Sequence, residues 1–269
     1  MLSSAKEIRK FELNGLDEEV GGIKEFYFDD KFWTIRYLVA STGSWLNKRQ
    51  VLISPYFIGN IDHELEFINV NLTKKEIEGS PSIDTDKPVS RQFEESYYSY
   101  YGAPVYWGGP SVWGPVPSIV HDRNMWRDIK PRENTWDPNL RSSKDVTGHT
   151  IQAKDDKIGH VDDFIIDEES WTIRYLVIDT KDWLPGKKVL ISPEWIDRIS
   201  WNDSKVFVNL TTDSIKNAPE FDEDEVVSRE YESRLYNHYK RQGYWLGEPV
   251  TSEFSESSGS RKHTGSRIR

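Results

Sequence analysis

The sequence predicts a mainly β protein with short helices, built as two small antiparallel β-barrels related by a pseudo-two-fold axis, each followed by a C-terminal helix. Three observations lead to that class. The heptapeptide WTIRYLV occurs twice, starting at Trp33 and at Trp171, 138 positions apart. Sliding the chain on itself by that offset aligns much of the remainder without a gap. Each copy also breaks into short alternating or apolar runs separated by turn residues, which is the pattern of a small barrel or sandwich.

The repeat extends well beyond seven residues. More than half of the positions from Trp33 to Ile58 match, including Trp45-Leu46 with Trp183-Leu184 and VLISP in both copies. Upstream, Gly21, Phe26 and Asp29 meet Gly159, Phe164 and Asp167; downstream, VNLT, VSR and Tyr106-Trp107 meet VNLT, VSR and Tyr244-Trp245. A period this long, present twice, implies a copied domain rather than a solenoid. The chain divides into copy one (11–107), a Pro/Gly/Trp-rich connector (108–150), copy two (151–247) and a polar, Ser-rich tail (248–269) expected to be disordered. The connector carries Trp113 and Trp126, so it is expected to be irregular yet packed along the domains.

Within WTIRYLV, strict alternation puts Trp33, Ile35, Tyr37 and Val39 on one strand face and Thr34, Arg36 and Leu38 on the other. GGIKEFYFDD and GHVDDFIIDEE read as preceding strands that end in acidic turns. Loops with Gly, Pro and Lys follow, then the strands VLISP, FINVNLT and VFVNLT. Helical signals come only at the end of each copy. Thr73–Glu76 has the form of a capping box. Ser90 and Ser228 are candidate caps for helices whose stripes are Phe93, Tyr97, Tyr101 and Tyr231, Leu235, Tyr239.

Taken in order, the acidic strand end, WTIRYLV, WLPGKKVLISP, VNLT, VSRE and the terminal tyrosine cluster resemble the PRC-barrel family. That family is named for the cytoplasmic domain of the photosynthetic reaction centre H subunit, and related barrels occur in a bacterial ribosome maturation factor. The resemblance implies two small antiparallel barrels serving as interaction modules.

Composition narrows the chemistry. The chain has no cysteine, which removes disulfides, thiolate catalysis and cysteine-ligated metals. A net charge of −10 opposes direct nucleic-acid binding, which needs cations to neutralise phosphates. No apolar run reaches the about 20 residues of a membrane helix, and the first fifteen residues lack the apolar core of an export signal. A cytoplasmic protein without membrane insertion is expected, peripheral association apart. The six histidines form no HExxH or HxH pattern, and neither a Walker loop nor a GxSxG elbow occurs, so no metal, cofactor or catalytic residue is assigned.

The acidic runs Asp29-Asp30 and Asp167-Glu168-Glu169 read as turn closures, and the carboxylates beside His160 as solvated. Arg36 and Arg174 stand in mid-strand, where a charge must pair or reach water. They are candidate partner contacts, or else pair with Asp29 and Asp167. Trp45, Leu46, Trp183 and Leu184 in the loops, with Trp113 and Trp126 in the connector, complete the candidate partner-binding set. The expected function is a non-catalytic interaction or adaptor module for a protein partner, associated with a membrane or photosynthetic complex. The alternatives are a ribosome- or RNA-maturation factor, and a small-ligand binder or enzyme using an inter-barrel cleft. A monomer containing an internal pseudo-dimer is the expected assembly.

Overall fold

The computed structural model describes residues 1–42, 49–83, 89, 91–107, 140–180 and 186–246. In the N-terminal half these form β2 (Glu12–Asn14), β3 (Glu19–Asp29), β4 (Thr34–Thr42), β5 (Arg49–Ile53), β6 (Ile58–Asp62) and β7 (Phe67–Val70). In the C-terminal half, β9 (Thr150–Gln152), β10 (Lys157–Asp167), β11 (Thr172–Asp179), β12 (Lys188–Ile191), β13 (Ile196–Ser200) and β14 (Lys205–Val208) follow at the repeat offset. The heptapeptides lie in β4 and β11 as expected, apart from Trp33 and Trp171, which lie in the preceding turns.

The helices follow local rules. The expected capping box opens α2 (Lys74–Gly79): the Thr73 hydroxyl accepts from the Glu76 amide, and Glu76 accepts from the Thr73 amide at 2.8 Å. A second box at Thr211 opens α5 (Thr212–Lys216). Two longer helices, α3 (Arg91–Tyr101) and α6 (Arg229–His238), bury Phe93, Tyr97 and Tyr98, and Tyr231, Leu235 and Tyr236 respectively. Ser228 caps α6 as anticipated, whereas Ser90 lies outside the described residues.

The expectation of purely antiparallel barrels is corrected. β2 pairs parallel to β7, and β9 parallel to β14, so the sheet is mixed. The physical reason is the corner after β5. Ser54 caps a 3-10 turn at Pro55–Phe57, and this turn leads into β6 without pairing β6 to β5. Among the described residues the sheet runs β13-β14-β9-β10-β11-β4-β3-β2-β7-β6 and does not close on itself.

A seam joins the halves. Thr34 pairs with Thr172, the Ile35 amide donates to the Trp171 carbonyl at 2.7 Å, and the Ile173 amide donates to the Trp33 carbonyl at 2.6 Å. Trp33 and Trp171 reach these bonds with φ of 53° and 54°, a left-handed backbone that costs a non-glycine residue about 1–2 kcal/mol. Phe28 stacks on Trp33 at 5.2 Å and meets Phe164 of the other half at 5.8 Å.

Two short arms then cross that seam. β1 (Leu2–Ser4) and α1 (Ala5–Ile8) form the first, and β1 pairs with β10 of the C-terminal half, Leu2 opposite Asp167. β8 (Leu140–Ser142) and α4 (Ser143–Val146) form the second, and β8 pairs with β3 of the N-terminal half, Leu140 opposite Asp29. The two registers are the same at the repeat offset. Residues 140–150 are therefore not irregular connector, and helices also occur at the start of each half. Short as they are, the arms are anchored by Ile8 and Val146, both buried. Ile8→Ala should lower the unfolding free energy by about 2–4 kcal/mol. In urea titration this appears as a lower midpoint with an unchanged slope.

Candidate functional site: two buried arginine–tyrosine–glutamate clusters

The position of Arg36 depends on a slip in strand pairing. β3 and β4 pair Tyr27 with Tyr37 and then Phe28 with Ile35, so Arg36 is a surplus residue in a β-bulge. Arg174 occupies the same place between Ile165–Tyr175 and Ile166–Ile173. A bulge breaks alternation, so the arginine does not face away from the tyrosine that follows it. This overturns the strict alternation that set the arginine on the face opposite the tyrosine: Arg36 is fully buried and Arg174 is largely so.

Each guanidinium is met by the end of the preceding strand. Asp29 divides its carboxylate: Oδ1 accepts from the Lys31 and Phe32 amides at 2.9 and 3.3 Å, and Oδ2 accepts from Arg36 at 3.3 Å. Asp167 repeats this, with Oδ1 on the Glu169 amide at 3.1 Å and Oδ2 on Arg174 at 2.8 and 3.1 Å. The turn-closing reading of these acids therefore holds, as does the pairing reading of the arginines. Burial pushes the Asp167 carboxyl up, but the hydrogen bonds and charge of Arg174, with Ser170, outweigh it and hold the group below its ordinary value.

The other wall comes from the helices and the chain that follows them. Arg36 stacks on Tyr106 at 4.4 Å, and Arg174 on Tyr244 at 4.0 Å. Glu94 of α3 accepts from the hydroxyls of Tyr37 and Tyr106, both at 2.8 Å. Glu232 of α6 accepts from Tyr175 at 2.7 Å and Tyr244 at 2.9 Å, and pairs with Arg229 at 2.9 Å. Glu94 and Glu232 are almost fully buried. Burial raises the phenols of Tyr37 and Tyr175 well above their ordinary value, so they stay protonated donors rather than proton acceptors. Each cluster thus fastens a helix to a sheet through a buried glutamate that accepts a hydrogen bond from a strand tyrosine.

Neither Glu94 nor Glu232 was singled out from sequence. The signal was there: both are identical at the repeat offset, and each precedes a buried tyrosine by four residues, Tyr98 and Tyr236. Of the candidate site residues, Arg36 and Arg174 fall in separate clusters. Trp45, Leu46, Trp183, Leu184, Trp113 and Trp126 lie outside the described residues.

Elsewhere, the expectation of solvated carboxylates beside His160 fails for Asp163. It is buried where α1 docks on β10 and accepts from the Lys6 amide at 3.2 Å; burial raises its carboxyl above the ordinary value despite that bond and the nearby Lys6 and Arg9. Asp162 beside it is half-buried between Lys6 at 2.6 Å and Lys188 at 2.7 Å. Among the described residues, no group of three or more His, Cys, Asp or Glu side chains is placed to hold a metal ion. Nor is any helix among them long and apolar enough to cross a membrane.

Two predictions follow from this chemistry. Arg36→Met should cost about 3–5 kcal/mol, because it leaves Asp29 buried without its cation. The double variant Arg36→Met/Asp29→Asn should recover part of that loss in urea unfolding. Asp163 and Asp167 should act on acid stability with opposite sign. The depressed Asp167 contributes stability above the ordinary carboxylate range that is lost as pH falls through its folded value. The raised Asp163 contributes stability below that range that is lost as pH rises through its folded value. Asp163→Asn should therefore gain stability relative to the parent at pH 8 more than at pH 4, and Asp167→Asn should lose more at pH 8 than at pH 4.

Among known proteins, residues 138–215 match the PRC-barrel domain, a stretch that runs from β8 through most of α5. An uncharacterized protein of Deinococcus radiodurans is 38% identical over 76 residues, which cover 28% of this chain and 27% of that protein. The similarity thus spans about a quarter of the relative's length, and a PRC-barrel domain is found in residues 138–215.

Proposed function

We propose that the chain is a non-catalytic protein-interaction module in which two PRC-type barrels, related by a pseudo-two-fold axis, form one rigid body for a protein partner. The observation that carries this reading is the fate of the buried charges. Arg36 with Asp29, Arg174 with Asp167, and Glu94 and Glu232 with their tyrosines are committed to one another at the joints between sheet and helix. Groups held in this way build a frame. The PRC-barrel domain at 138–215 supports the same reading, since it suggests a family of non-catalytic modules in general. Support for the pseudo-two-fold arrangement comes from the arms and the seam, whose pairings recur with the halves exchanged.

The partner contact is assigned to the loop pairs Trp45-Leu46 and Trp183-Leu184, a proposal that rests on the enrichment of tryptophan in interface hot spots. The full chain, immobilised, should capture a discrete protein from the soluble or membrane fraction of a native lysate. Trp183→Ala should reduce that capture by about tenfold or more, the effect of losing a hot spot of about 2 kcal/mol. Capture unchanged by Trp45→Ala and Trp183→Ala together would overturn the loop assignment. Absence of any enriched protein over a blank matrix would overturn the module reading.

A further inference from the structure

Among the described residues, the two ends of the strand path are equivalent at the repeat offset but differ in chemistry. β13 and β6 terminate the strand path, and each is paired on one side only, β13 to β14 and β6 to β7. An open edge exposes backbone donors and acceptors to any second strand, and proteins guard such edges with charge. β13 is guarded. Its sequence IDRIS places Asp197 and Arg198 in solvent, with the Arg198 guanidinium over the Phe207 ring at 3.5 Å. β6 reads IGNID, and its exposed positions are Gly59 and Asn60, which carry no charge. Both strands have a bulge in their inner pairing, so the difference between the edges lies in the side chains.

A second feature converges on the same edge. Three asparagines form a ladder across neighbouring strands: Asn14 on β2 donates to Asn69 on β7 at 3.2 Å, and Asn69 donates to Asn60 on β6 at 2.9 Å. The ladder stops at the open edge. Each of its carboxamides carries both a donor and an acceptor, so the last one, Asn60, is complementary to a copy of itself. Charged partners find no counter-charge at Gly59 and Asn60, while a second, antiparallel β6 across a two-fold axis meets an amide with an amide.

We infer that β6 is the contact through which two copies of this chain associate, edge to edge and antiparallel, with Asn60 at the two-fold axis. The contact extends the sheet from one molecule into the next, and β13 takes no part. A pair of five-residue strands buries far less than the about 1,200 Å² of a stable complex, so the association is reversible and appears as concentration rises.

The test grafts the guard of β13 onto β6. Gly59→Asp/Asn60→Arg reproduces the Asp197-Arg198 pair, and a side chain at Gly59 fits, since a Cβ there comes no nearer than 3.5 Å to the Asn69 carbonyl oxygen. In sedimentation equilibrium the parent mass should rise from 31.4 kDa toward twice that value with increasing concentration, and the grafted variant should stay at 31.4 kDa throughout. Because the chain has no cysteine, Asn60→Cys supplies a clean second readout. Mild oxidation should give a covalent dimer from that variant and none from Asp197→Cys. A parent that remains at 31.4 kDa at every concentration would overturn the inference, as would a grafted variant that dimerises as the parent does or cross-linking equal at the two positions.

Discussion

A guanidinium can remain charged inside a protein only where opposite charge, acceptors and aromatic faces enclose it. Meeting that condition at Arg36 and Arg174 fixes much of the architecture around them. The strand before each arginine must end in an aspartate whose second oxygen points inward. The strand that carries the arginine must slip by one residue to present it. The chain after each helix must return so that Tyr106 or Tyr244 covers the cation. Strand, turn, helix and return are therefore specified by the same few polar groups, and none of them moves without exposing a charge to apolar surroundings.

The two halves meet where their sequences are most alike. In the heptapeptide, Trp33 and Trp171 take a left-handed backbone and turn their carbonyls toward the opposite copy. The exchange is reciprocal, because each copy supplies to the other the bond that it receives. Where the arms meet the turn acids, the copies differ. Ser3 and His63 gather on Glu168 on one side of the molecule; at the equivalent place on the other, Arg141 bonds Asp30 at 2.8 Å and lies over Trp201 at 4.3 Å. One frame tolerates either set, since both join an arm to a turn acid of the half on which it lies.

Features governed by neighbours in sequence were legible. The capping box at Thr73, the turns at Asp29 and Asp167 and the strand character of WTIRYLV are all set within a few residues. The bulge was not, because a period of two assumes perfect alternation and a one-residue slip leaves no mark in composition. The solvated reading of Asp163 failed for a related reason: what buries it is α1, far away in sequence. The crossed arms are not legible, because a three-residue strand and a four-residue helix fall below what periodicity resolves. Their trace is nonetheless present, since LSSAKEI and LRSSKDV match at Leu, Ser, Lys and in the acidic and apolar positions that follow.

The crossing of the arms has a consequence for how the chain is made. Ser3 finds its bond to Glu168 across 165 residues, while Arg141 finds Asp30 across 111. At the about 5–20 residues per second of synthesis, the first arm is waiting for its strand for roughly 8–30 s. The N-terminal half meanwhile stands with the side of β3 uncovered until residues 140–142 arrive. Neither half can finish before the other has begun, so the molecule matures as a unit rather than domain by domain. Chain entropy opposes closure most at contacts of the longest sequence separation, and the arms make such contacts.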